Sequence, residues 1–153
     1  MPSLEHKIPP LLVLLVDVPV MWGLSHLLPR IDAPTPLRIA LTAVIACAGL
    51  AFSGAGSLAF KRAGTTVNPL RPQRASSLVI TGVYRYTRNP MYVGMMLGLL
   101  SWAVYLASPL ALLGPVAFIA YITRFQIRPE ERVLTAKFGP DYEHYMARVR
   151  RWI

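Results

Sequence analysis

MYVGMMLGLLSWAVYLASPLALLGPVAFIAYIT, residues 91–123, is a run of 33 residues without Asp, Glu, Lys or Arg. As one helix it would be about 50 Å long at 1.5 Å rise per residue. The hydrocarbon core of a bilayer is only about 30 Å thick. The run therefore predicts two apolar helices folded back at Ser108-Pro109, since proline ends one helix and suits the opening turn of the next. A polar knot stands on either side of it. Gly82-Val-Tyr-Arg-Tyr-Thr-Arg-Asn-Pro-Met-Tyr-Val-Gly94 leads in, and Arg124-Phe-Gln-Ile-Arg-Pro-Glu-Glu131 leads out. A hairpin of two crossings returns both knots to one end, where a site can form between them.

Two further apolar stretches precede the run. One covers about 10–28 and is interrupted by Asp17, Ser25 and His26; the other covers 37–60, with Arg38 at its edge. Hydrophobic residues make up 54% of the 153 and mean hydropathy is +0.45. Four such segments leave too little polar surface to cover a soluble core. The start of the chain includes Glu5 and lacks a strongly basic region, so the first stretch reads as a crossing rather than a signal peptide. Pro19 predicts a kink in it. Asp17, an ionisable group at membrane depth, is either functional or a carboxyl bonded to a neighbouring helix.

A net charge of +9 invites a nucleic-acid reading, but its distribution points elsewhere. With the N-terminus inside, only Arg30 and Arg38 of the sixteen Lys and Arg fall outside. That is the positive-inside pattern, with four crossings and both termini cytoplasmic. The basic face suits anionic headgroups, and no nucleic-acid partner is expected. The expected architecture is one all-α integral membrane bundle. Its crossings are about 10–28, 37–60, 91–107 and 109–125. A cytoplasmic connection, 61–90, is mostly loop, with one helical turn near Tyr84–Arg88. A C-terminal amphipathic helix, 130–151, lies in the interface, presenting Val133, Leu134, Phe138, Tyr142, Tyr145 and Val149 on one face. Gly139-Pro140 interrupts it, with Asp141 as a cap. Gly94 and Gly98 offer a small-xxx-small face for helix packing. Cys47, the one cysteine, is expected to be a buried small hydrophobe. His6, His26 and His144 have no ligand spacing, so no metal site is expected.

Chemistry concentrates in the two knots. Glu130 and Glu131 open a helix and sit among Arg124, Arg128 and Arg132, facing Arg85 and Arg88. Such carboxylates are either a solvated helix start or holders of a ligand amine or ribose hydroxyl. The arginines suit a carboxylate or phosphate. Tyr84, Tyr86 and Tyr92 are either interfacial aromatics or a face for a cation, a sulfonium included.

These residues resemble the isoprenylcysteine carboxyl methyltransferases and, more widely, the membrane phospholipid methyltransferases. The resemblance runs from about residue 68 to 152. It rests on Ser77-Leu-Val-Ile-Thr-Gly-Val-Tyr84, on Arg88-Asn-Pro-Met-Tyr-Val-Gly94, and on Glu130-Glu131 with Leu134, Phe138-Gly139, Tyr142 and Tyr145. It implies an integral membrane enzyme that uses S-adenosyl-L-methionine at the cytoplasmic face. The implied cofactor pocket is formed by Leu78, Val79, Gly82, Tyr84, Asn89, Pro90, Tyr92, Glu130 and Glu131. Arg88, Arg124 and Arg128 are the implied holders of a lipid-like acceptor with a carboxylate, amine or thiol. Two positions depart from the pattern. Asn89 stands where the family has histidine, and asparagine cannot carry charge or move a proton near neutral pH. Gln126 stands where an arginine grips the prenylcysteine carboxylate. Two other readings stay open, a sterol-reductase-like enzyme with a nicotinamide cofactor and a non-catalytic membrane scaffold. The expected location is the cell membrane of a bacterium or archaeon.

Overall fold

A computed structural model describes residues 5, 7–64 and 77–153. The described residues form helices and connections, with no strand among them. Most of the expected loop around Asn68-Pro69 and Arg71-Pro72 lies outside the described residues. In chain order the helices are α1 (Pro10–Leu24), α2 (Thr35–Arg62), α3 (Pro90–Leu106), α4 (Leu113–Ile122), α5 (Arg128–Phe138) and α6 (Pro140–Arg148). Short 3₁₀ turns occupy Gly82–Arg85 and Pro109–Leu112, and a π turn, Thr123–Ile127, joins α4 to α5. The helical turn expected at Tyr84–Arg88 is thus a 3₁₀ turn placed two residues earlier.

The hairpin bend falls where proline requires it. α3 ends at Leu106, Ala107 turns into the left-handed region at φ 50°, and Ser108 is extended before Pro109. From there the chain stays helical through Pro109–Phe138, a segment long and apolar enough to cross a membrane, as is Thr35–Arg62. α1 and α3 are shorter apolar helices. α1 stops at Leu24 rather than near 28, because the Ser25 hydroxyl donates to the Trp22 carbonyl at 2.7 Å and closes the helix end. Pro19 lies inside α1.

α3 is the central element, packing against α1, α2 and α4. The core draws Met21 from α1, Leu99 and Leu106 from α3, and Phe118 and Ile122 from α4. Elsewhere the outside is greasier than the inside. α2 buries only Gly49 and Gly56, while Leu37, Ile39, Leu41, Val44 and Leu50 point outward. Only 11% of its most apolar window is buried, the reverse of a soluble core helix. Cys47 is on this outer surface and not buried, which corrects the expectation.

The α2–α3 seam runs through small residues. A Cβ on Gly94 would come within 2.5 Å of the Gly49 carbonyl oxygen, and one on Gly49 within 2.8 Å of the Gly94 oxygen. Gly98, expected to share this face, has no such neighbour. Close backbone approach therefore needs glycine at 94 and not at 98. Gly94→Ala should destabilise the protein by about 1–3 kcal/mol and Gly98→Ala by far less. Thermal unfolding in detergent would reveal the difference, and equal effects would refute the seam.

Candidate functional site

Local chemistry brings the two knots together. Asn89 precedes a proline and is held off the helical region, at φ −131° and ψ 55°. Pro90 then opens α3 without the loss of a hydrogen bond, since an N1 amide has no helical partner. Tyr92 is thereby fixed, buried, on the first turn of α3. On the other side Pro129 lacks an N–H and its ring would clash with the Phe125 carbonyl in a regular helix. The π turn Thr123–Ile127 widens the helix there, so the chain continues without a break. The additional residue also shifts the phase of α5 by about 100° relative to α4. Glu130 and Glu131 then sit in the first turn of α5, against the start of α3.

Two contacts join the knots. The Tyr92 hydroxyl donates to Glu130 Oε1 at 2.9 Å. Arg88 Nη2 lies 3.1 Å from Glu131 Oε1, with both side chains nearly buried at 10% and 13% exposure. The two glutamates have separate surroundings. Glu131 is saturated with positive partners, because Arg151 also grips it through Nε (3.0 Å) and Nη2 (2.7 Å). Glu130 has no such cation among the described residues. Removal from water pushes its carboxyl up to about 8; the Tyr92 hydrogen bond pulls the other way and the Glu131 charge adds a further upward push. Glu130 lies five residues beyond the expected end of the fourth crossing at 125.

Arg151 is the residue that sequence reasoning missed as part of the site. The interruption expected at Gly139-Pro140 divides 130–151 into two helices, because Gly139 takes φ +52° and ends α5. Gly139, not Asp141, is the residue before α6, and no side chain caps that helix. After Arg148 the chain becomes extended and folds back over the first knot. The Arg88 amide donates to the Arg150 carbonyl at 3.0 Å. Asn89 Nδ2 donates to the Arg151 carbonyl at 2.8 Å, and the Thr87 hydroxyl to the same oxygen at 3.3 Å. Trp152 Nε1 reaches Thr123 Oγ1 at 3.1 Å. Asn89 is thus an anchor for the tail, which uses the amide that histidine would not supply.

Other expected site residues have structural partners. Val79 and Tyr84 are buried in a second apolar cluster with Tyr142 and Tyr145, and Leu78, Phe60, Leu134 and Phe138 pack around it. The Tyr145 hydroxyl donates to the Tyr84 carbonyl at 2.7 Å. The apolar face of α5 and α6 therefore packs on protein. Gly82 turns the chain at φ +62° into this cluster. Arg124 does not reach the site; it pairs with Glu5 at 3.2 Å, as does Arg132 at 2.6 Å. Arg128 is exposed. Gln126 is fully buried and donates to the Ile8 carbonyl at 2.7 Å, so it pins the N-terminal segment. Arg88 keeps one donor in reserve, its Nε being buried and without a partner among the described residues.

A family model described as phospholipid methyltransferase matches residues 37–141. A Haemophilus influenzae (strain Rd) protein described as uncharacterized is 46% identical over 63 residues, which is 41% of this chain and 100% of that protein. No solved structure matches the chain. The family match runs from the start of α2 into α6 and takes in both knots, so the chain belongs to the phospholipid methyltransferase family.

Proposed function

We propose that the protein transfers a methyl group from S-adenosyl-L-methionine to a lipid-like acceptor at the cytoplasmic face of the membrane. The observation that carries this reading is the Tyr92–Glu130 pair. It sets a largely desolvated carboxyl, without a cationic partner among the described residues, beside an aromatic ring. Such a group is complemented by a cation, and a neighbouring Arg88 Nε without a partner is complemented by a carboxylate. A zwitterionic amino acid bearing a sulfonium carries both. The residues present therefore fit the donor. Tyr92 and Glu130 would hold it, with Pro90 and Arg88 beside them, while Leu78, Val79, Gly82 and Tyr84 shape the wall behind. Asn89 and Glu131 act one step removed, by fixing Arg151 and Arg88.

When bound, S-adenosyl-L-methionine supplies an already activated methyl group. The chain's own task is then proximity and alignment, worth up to roughly 7–11 kcal/mol. No histidine stands in the knots, and Asn89 is committed to a backbone carbonyl. An anionic or easily deprotonated acceptor suits such a site, whose one group poised to titrate near neutrality, Glu130, is taken up by the donor. The exposed Arg128 is the cation left to orient its headgroup. The acceptor arrives through lipid, between helices.

The topology that serves this function has four crossings, formed by α1, α2, α3 and the α4 segment, with both termini inside. Support comes from the apolar outer surface of α1 and α2 and from the crowding of basic residues at the end that carries the knots. Purified protein in liposomes, given donor labelled on the methyl group and total bacterial lipid, should place label in the lipid fraction. Donor binding without labelled lipid would favour the scaffold reading. Calorimetric binding of a reduced nicotinamide nucleotide in place of the donor would favour the reductase reading.

A further inference from the structure

We propose that the end of the bundle opposite Glu130 carries a binding site for an anionic glycerophospholipid, with its phosphate held by Arg38 and Ser108. A cleft of about 210 Å³ lies there between the start of α2 and the end of α3. Leu37, Leu41, Val104 and Leu112 make its walls apolar, and Arg38 and Ser108 also line it. Each of these two lining residues has a buried polar atom without a hydrogen-bond partner among the described residues, Arg38 Nε and Ser108 Oγ. Ser108 is 3% exposed.

Both atoms are donors, an N–H and an O–H. An oxyanion can accept from both; an ammonium could donate to the serine hydroxyl but would face the Arg38 guanidinium, like charge against like charge. Charge points the same way. Arg38 makes no ion pair among the described residues, and its guanidinium has only the Tyr105 ring, 5.9 Å from the centroid. No Asp or Glu lines the cleft, and nearby Asp32 is exposed and forms no ion pair with Arg38. α2 starts at Thr35 with no side-chain cap, so its positive end adds to the same field. The sequence shows the anomaly as well. Arg38 is one of two basic residues set apart from the basic end, at the edge of an otherwise apolar stretch. Ionisable groups in such places are commonly functional.

The apolar walls select among anions. Leu37 and Leu41 are about half exposed and open the cleft sideways, where the membrane placement proposed above sets acyl chains. A free phosphate ion would satisfy the donors and leave these walls uncovered. A headgroup that brings its own cation would leave Arg38 less well compensated. A phospholipid with an uncompensated phosphate fits the donors, the charge and the walls. The assignment uses the membrane placement and is independent of the donor site at Glu130.

Native mass spectrometry of the delipidated protein in detergent tests it, with phosphatidylglycerol, phosphatidylcholine, oleate and inorganic phosphate as separate probes. We expect one retained phosphatidylglycerol per chain, held at least about tenfold more tightly than phosphatidylcholine. Arg38→Gln should lower that affinity by about tenfold or more, and Ser108→Ala by about threefold. S-adenosyl-L-methionine affinity should be the same in both variants and the wild type, which separates failure here from failure at Glu130. Equal phosphatidylglycerol retention in wild type and both variants would overturn the site. Oleate or inorganic phosphate bound as tightly as phosphatidylglycerol would overturn the choice of occupant. Should Arg38→Gln not fold, Ser108→Ala decides alone, and an unchanged affinity there refutes the proposal.

Discussion

Glu130→Gln is expected to weaken S-adenosyl-L-methionine binding by at least about tenfold, and by more at pH 8.5 than at pH 6.5. Truncating a buried charged partner commonly costs 2–5 kcal/mol, which spans this loss. The pH dependence follows from the proton on Glu130. In the empty protein its carboxyl is pushed up to about 8, so near neutrality it is largely protonated. A cationic ligand prefers the carboxylate and must displace that proton. Wild-type affinity therefore rises with pH, by at most tenfold per unit, and levels off above about 8. Glutamine keeps an acceptor for the Tyr92 hydroxyl and has no proton to release. Any slope left in the variant belongs to the ligand, and the difference between the two titrations is the Glu130 contribution. Calorimetry at five pH values measures it, and parallel curves would remove Glu130 from the donor site. Stability moves in the opposite direction. The folded protein holds the Glu130 proton where the unfolded chain has released it, so the empty wild type loses stability as pH rises towards 8. The glutamine variant should lack that component.

Glu131→Ala should destabilise the protein by about 3–5 kcal/mol. The reason is the partner left behind. Arg88 is nearly buried and has Glu131 as its ion-pair partner, so removing the carboxylate strands a charge away from water. Arg151 would lose both of its hydrogen bonds to the same group, and the tail its strongest side-chain tie. Trypsin should then cut after Arg150 and Arg151 in the variant under conditions that leave the wild type whole. The double variant Arg88→Met/Glu131→Leu should recover most of the lost stability, since a matched apolar pair has no stranded charge. An unfolding midpoint unchanged by Glu131→Ala would mean that the clamp contributes nothing to the fold.

These two glutamates show what the sequence could and could not reveal. That the knots meet follows from a charge-free run too long for one crossing and from prolines at positions 90 and 109. That they are chemically different does not follow, because it depends on Arg151. An extended tail has no periodicity to read, and its docking uses backbone carbonyls that any residue would provide. Asn89 illustrates the same limit. Its side chain announced a lost histidine, and only the fold shows an amide holding the Arg151 carbonyl. The π turn was invisible too. Arg128-Pro129 reads as the end of a helix, because the usual cost of an internal proline is high, and here a widened turn removes the clash. The amphipathic period of Leu134, Phe138, Tyr142 and Tyr145 was readable, but period alone does not say whether protein or lipid covers the apolar face. Gly94 and Gly98 have the same spacing signal, and only the path of α2 separates them.

The donor site at the join of the two knots is tested most directly by a structure of the protein in nanodiscs with S-adenosyl-L-homocysteine bound. The ligand should lie against the Tyr92 ring and the Glu130 carboxyl, with its carboxylate towards Arg88. Ligand density beside Asp17 in α1, with Tyr92 and Glu130 still bonded only to each other, would contradict the assignment.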